Sequence, residues 1–171
     1  LAEGNNTVVS GGTNNEALGA FSSVASGRDN VALSDYAVVS GGVGNVAGSL
    51  ETDELETRYG QYSVIAGGLN NTTAGSKSVI SGGESNTANG NFSSIGGGGN
   101  NVANDQYGTI AGGQNNTTTG THNFIGGGQH NNANSFNSSI VGGIGNSIND
   151  ASRGFLGGGQ NNEIHRSASV I

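Results

Sequence analysis

Apolar residues along this chain return singly, each inside the same polar phrase. Val9, Val24, Val39, Ile65, Ile80, Ile95, Ile110, Ile125, Ile140 and Leu156 each stand two residues before a Gly-Gly or Ser-Gly pair, and Ile171 continues the series. The spacing is 15 residues and is broken twice, by 26 between Val39 and Ile65 and by 16 between Ile140 and Leu156. The first break is one repeat plus an 11-residue insertion at Leu50–Gly60; the second is a single extra residue near Ala151. Three residues after each of the ten complete anchors stands Gly, from Gly12 to Gly159. Six residues after stands Asn: Asn15, Asn30, Asn45, Asn71, Asn86, Asn101, Asn116, Asn131, Asn146 and Asn162. Two positions beyond the Asn comes a small or apolar residue, such as Ala17, Ala88, Thr118 or Ile164.

Within a unit the pattern has period two, as Ser78 and Ile80 and then Asn86 and Ala88 illustrate. Alternate residues of a strand face one side, so each unit reads as two short strands. The Gly pair between them supplies a corner, because glycine accepts positive φ without a Cβ clash. A unit of this length has no room for a helix of the leucine-rich or ankyrin kind. The spacing therefore predicts an all-β chain, a parallel β-solenoid of about eleven 15-residue coils, forming a single domain over 1–171 with an inserted loop at 50–60. Stacked at strand spacing of ~4.8 Å, such coils make a rod on the order of 50 Å long. The Asn column is expected to be structural, a ladder of amides bonded from coil to coil.

One column does not fit a solenoid whose outside is entirely wet. The residue before the anchor points away from the coil interior, yet it is apolar in seven of eleven coils: Val8, Val38, Val64, Val79, Phe124, Phe155 and Val170. A strand apolar on both faces is buried on both, which predicts packing against another chain. Three residues before the anchor come Phe21, Tyr36, Tyr62, Phe92 and Tyr107, in line with Lys77, His122 and Arg153. In an extended strand these share the outward side with the apolar column. They are therefore candidates for a subunit interface, or for an exposed aromatic stripe that grips a glycan or protein.

Composition excludes more than it names. Of 171 residues 34 are Gly, none is Pro, Cys, Met or Trp, and only 10% are charged, which is unlike an ordinary enzyme domain. A net charge of −7 with five Lys and Arg argues against nucleic acid as a partner. No apolar run approaches the roughly 20 residues of a membrane span, so no membrane insertion by this segment is expected. The start at Leu1, without Met or signal-peptide pattern, reads as a segment of a longer chain. Without Cys there are no disulfides or thiolate metal sites.

Catalytic chemistry finds little support. His122, His130 and His165 fall in different columns, and the invariant column holds Asn where a calcium-binding repeat needs Asp. Asp29, Asp35, Glu84, Asp105, Asp150 and Glu163 are scattered, whereas glycoside hydrolysis needs two acids converging to ~5–10 Å. No enzyme, cofactor or metal is expected. The insertion differs from the rest. It holds Glu51, Asp53, Glu54 and Glu56, four of the twelve acids, with Arg58 and Tyr59. Thr52 before Asp53 and Glu54 resembles a helix start. Insertions in solenoids lie on one face, often the binding face. This loop is the candidate partner-binding loop, the alternative being a tolerated solvated one.

The phrases "YSVIAGG" at 62–68, "KSVISGG" at 77–83 and "FSSIGGG" at 92–98, joined by "NTANG" at 86–90, resemble the head repeat of trimeric autotransporter adhesins, the YadA-like head. The resemblance spans roughly 5–171 and implies a left-handed parallel β-roll assembled as a homotrimer. It further implies an extracellular head at the bacterial outer-membrane surface, attached to a surface protein or glycan. Similar arrays occur in tail-fibre-like proteins, which leaves a virion fibre open. The family unit is commonly of 14 residues, and neither neck, coiled-coil stalk nor anchor barrel lies in this stretch. A rigid spacer whose binding tip lies elsewhere is the alternative. An ice-binding solenoid would need a flat Thr array, which Thr72, Thr73, Thr87, Thr117, Thr118 and Thr119 do not sustain in one column.

Overall fold

The structure, a computed structural model, describes residues 1–49, 51, 59–149, 152–165 and 170. Each repeat gives one short strand to each of two parallel sheets of ten strands. Odd-numbered strands, from β1 (Val8–Val9) to β19 (Phe155–Leu156), form the first sheet. Even-numbered strands, from β2 (Glu16–Ala17) to β20 (Glu163–Ile164), form the second. The pairing register is one coil throughout: Ile80 lies between Ile65 and Ile95, and Ala88 between Thr73 and Ala103. The chain is thus an all-β parallel solenoid, with no helix among the described residues. Among the described residues it makes ten turns, where the spacing predicts about eleven. The eleventh anchor, Ile171, lies outside the described residues, and Val170 bridges to Phe155 where a further coil would begin.

A third line of pairing was not predicted. Four residues after each anchor, single parallel bridges run Thr13–Arg28–Val43–Leu69–Glu84–Gly99–Gln114–Gln129–Ile144–Gln160. Backbone carries this ladder throughout, joined by a side-chain bond where the Gln129 Nε2 donates 2.9 Å to the Gln114 Oε1. Side chains so unlike one another leave no periodic signal.

The interior is one side chain deep. The anchors from Val24 to Leu156 are fully buried, facing the buried Ala and Thr of the second sheet. Large residues opposite small ones fill a narrow coil without strain. Where Ile148 replaces Ala on the small side, the facing residue is Gly154, and a Cβ there would press on the Ile148 Cγ2. In other coils that place belongs to Ser78 or Ser93, both buried as their alternation predicts.

Left-handed backbone recurs at fixed places in the coil. Gly83 has φ +89°, and a Cβ on it would collide with the Gly98 carbonyl and the Asn86 amide. At Gly82, by contrast, a Cβ would meet nothing within 4 Å, and Ser26 occupies the same column. In that coil only the second Gly of the pair is therefore demanded by the corner, whereas Gly97, Gly127 and Gly158 hold the first place at φ 152–158°. Two further corners use residues with side chains, one through Asn70, Ser85 and Asn100 at φ 53–55° and one through the aromatic column at φ 57–64°.

Both departures from the 15-residue spacing fall at the corner between a second-sheet strand and the next first-sheet strand. Across the insertion the register is unbroken, with Val38 paired to Val64 and the Asn71 N–H donating 3.0 Å to the Asn45 Oδ1. Across the extra residue Ile140 pairs with Leu156. That corner absorbs length because neither the anchor column nor the ladder from Asn15 to Asn162 passes through it.

Candidate recognition surfaces

The Asn column is the frame on which every surface rests. The Asn86 Oδ1 accepts the Asn101 N–H at 3.0 Å, and its Nδ2 donates to the Gly82 carbonyl at 3.1 Å and, one coil on, to the Gly98 carbonyl at 3.0 Å. Each amide thus closes its own Gly corner and ties it to the next. The pattern runs from Asn15 to Asn162, and from Asn30 to Asn146 these side chains are nearly or wholly inaccessible. Buried amides with their bonds made have none left for a ligand.

A shorter copy of this device escaped the sequence reading. The Asn123 Nδ2 donates to the Thr119 and Ser135 carbonyls, both at 2.8 Å, and its Oδ1 accepts the Ser138 N–H at 3.0 Å. Below it the buried Asp105 carboxylate accepts the Asn123 N–H at 3.0 Å and the Thr118 hydroxyl. Gly108 makes room, since a Cβ there would overlap the Asp105 carboxylate. Asp105 is therefore a structural acid. The signal available in the sequence was Gly108 at a column where Ser is usual.

The aromatic column lies on a corner, in left-handed conformation, and so does not continue the strand alternation that linked it to the outward apolar column. Its rings stack coil upon coil. Phe21 and Tyr36 have centroids 5.1 Å apart and planes within 5°; Tyr36 and Tyr62 are 4.6 Å apart and within 3°. Lys77 places its Nζ 4.9 Å from the Phe92 centroid, and Phe92, Tyr107 and His122 continue the stack at 5.0 and 4.6 Å. Arg153 holds the same left-handed place higher in the column. Each of the five aromatics is 41–50% exposed. Tyr36, Phe92 and Tyr107 are covered on both faces, so solvent meets their ring edges.

The outward column of the first sheet is a flat strip beside this corner. Val8, Val79, Phe124 and Phe155 are exposed along it, while Val38 and Val64 are half-buried. Ser10, Ala25, Ser40, Ala66, Ser81 and Ala111 flank them, all small and exposed. No side chain on the flanking column is bulky enough over that stretch to hold a partner off.

A fourth surface is the base of the insertion. The Ser49 N–H donates 3.2 Å to the Tyr59 carbonyl, and the Tyr59 N–H donates 3.0 Å to the Glu51 carbonyl, so the loop leaves and re-enters at one pinned point. The Ser34 hydroxyl beneath donates to the Tyr59 carbonyl, and the Glu51 N–H donates 3.1 Å to the Ser49 Oγ. Beside this base lies an open groove of about 650 Å³, running past the next coils between Tyr59 and Glu51 on one wall and Asn89, Asn91, Asn104 and Gln106 on the other. Asp53, Glu54, Glu56 and Arg58, and the helix start at Thr52, lie outside the described residues. The three His do not meet one another, and no metal-holding group of His, Cys, Asp and Glu occurs among the described residues. No protein-family model matches the chain, and no curated protein matches it.

Proposed function

We propose that this chain is a segment of an extracellular fibre head that assembles as a homotrimer and recognises a surface protein or glycan. The observation that carries the reading is the strip of Val8, Val79, Phe124 and Phe155 left exposed on a sheet of unbroken register. A repeated apolar strip on a rod matches the same strip on parallel copies, coil for coil, and burying it relieves the exposure of each. The repeat's resemblance to trimeric adhesin heads supports the same assembly, the left-handed β-roll, and a place at a bacterial surface or on a virion fibre. The sequence supports a binding rather than an enzymatic role, since its acids and histidines are scattered over the columns.

Static light scattering with negative-stain electron microscopy tests the assembly. A trimeric rod is expected, and a monodisperse monomer overturns it. Val64→Lys combined with Val79→Lys should dissociate the trimer while each chain keeps its β circular-dichroism signal.

The unbroken register of both sheets also favours a second role, a rigid spacer carrying a binding tip elsewhere. Deleting residues 50–60 separates the two: loss of binding to the target surface supports recognition here, and undiminished binding supports the spacer.

A further inference from the structure

We infer that the groove at the base of the insertion is a binding site for a neutral oligosaccharide laid along the solenoid axis. This says what the proposed recognition fibre would recognise, and rests on that reading for its biological use but not on the trimer for its chemistry.

The groove's walls combine side-chain amides with one exposed aromatic, Tyr59. Among its described lining residues, Glu51 carries the only charge, while Asn89, Asn91, Asn104 and Gln106 supply amides from two successive coils. An amide both donates and accepts, which is what a sugar hydroxyl needs, since it too does both. The comb is already partly aligned. The Asn89 Nδ2 donates 2.8 Å to the Asn104 Oδ1, so Asn89 turns out a carbonyl oxygen and Asn104 an NH₂. The Asn91 Oδ1 is engaged by the Ser76 N–H at 2.8 Å, which leaves its NH₂ facing outward, and the Gln106 side chain makes no hydrogen bond with a described residue. Donors and acceptors are thus held in fixed orientation at a pitch of one coil, roughly 4.8 Å. That pitch is close to the length of one sugar ring in an extended chain.

Tyr59 completes the site. It is 45% exposed and belongs to no ring stack among the described residues, unlike every aromatic of the corner column. A free aromatic face takes the C–H face of a pyranose, while the phenol stays available for a hydroxyl. Of the corner aromatics, Tyr36, Phe92 and Tyr107 have both faces covered. The groove volume is in the range of ligand sites, roughly 300–1,000 Å³. A net charge of −7 and the acidic insertion disfavour anionic sugars.

Isothermal titration calorimetry of the full chain with neutral hexasaccharides of the glucose, mannose and N-acetylglucosamine series tests the site. At least one should bind saturably at millimolar concentration or below. Tyr59→Ala, and Asn104→Ala with Gln106→Ala, should each weaken it about tenfold, the scale of one lost packing face or hydrogen bond. Val79→Lys should leave the affinity unchanged. All of these residues are exposed, so the variants should fold, and circular dichroism checks that they do. Absence of saturable binding for all three series overturns the proposal, as does a Tyr59→Ala variant that binds like wild type. Capture of basic peptides through Glu51 in place of sugars overturns it too. Light scattering on the same samples separates the two readings. Sugar binding by a monomer sinks the trimer and leaves the groove, and a trimer without sugar binding does the reverse.

Discussion

A buried Asn in this solenoid differs from an exposed one by the number of coils it holds. Asn86→Ala would strand the buried Asn101 N–H, whose partner is the Asn86 Oδ1, while the Gly98 carbonyl would keep the Glu84 N–H. With a cost of roughly 1–3 kcal/mol for a stranded buried group, the loss should be about 1–3 kcal/mol. Asn89→Ala, at an exposed amide, should stay within about 0.5 kcal/mol. Urea denaturation of the two variants compares them directly. The glycines divide in the same way. Gly83→Ala forces a side chain into positive φ against backbone and should cost at least about 1–3 kcal/mol, whereas Gly82→Ala should be nearly neutral. Equal effects at 82 and 83 would refute the corner as described.

At the scale of the strand the first sheet holds its polar residues unequally. The Ser78 hydroxyl donates 2.7 Å to the Gly75 carbonyl, but the hydroxyls of Ser22, Ser63 and Ser93, and that of Thr73 on the facing sheet, are buried without a partner. Ser93→Ala and Thr73→Val should therefore be neutral or stabilising, by up to about 1 kcal/mol, while Ser78→Ala should cost about 1 kcal/mol. Thermal melts rank them. Ile95→Ala opens a cavity in a core one side chain deep and should cost about 2–5 kcal/mol. The strand alternation was legible from Ser78, Ile80, Asn86 and Ala88 because each has a constant partner above and below. The third ladder at Thr13, Arg28 and Val43 was not, because backbone groups pair there whatever the side chain is.

Over the whole molecule, contacts reach only the coils above and below, so stability is a sum of coils and interfaces between them. The insertion at 50–60 and the extra residue near 151 sit at a corner that neither the anchors nor the ladder from Asn15 to Asn162 crosses, and deleting 50–60 should leave the solenoid folded. A cooperative melt retained in that deletion, with unchanged β circular dichroism, is the expected result. Its loss would mean that the insertion supports the coils. The proposed trimer assembly belongs to this scale as well, since it would depend on a strip that runs over many coils and not on any one residue.

The sequence by itself determined the repeat, its period, the inward anchors, the Asn ladder and the place of the insertion, because each of these is a demand made again at every coil. Tertiary structure decided what a repeat cannot show. It turned the aromatic column into a face-to-face stack on a left-handed corner, where strand parity no longer applies. It drew Asp105, Thr118 and Asn123 into one buried set. It set Tyr59 beside Asn89, Asn91, Asn104 and Gln106, residues up to 47 positions apart in the chain (106 − 59), across a groove. Periodicity reports what every coil shares. A site arises where neighbouring coils differ, and only their stacking brings those differences together.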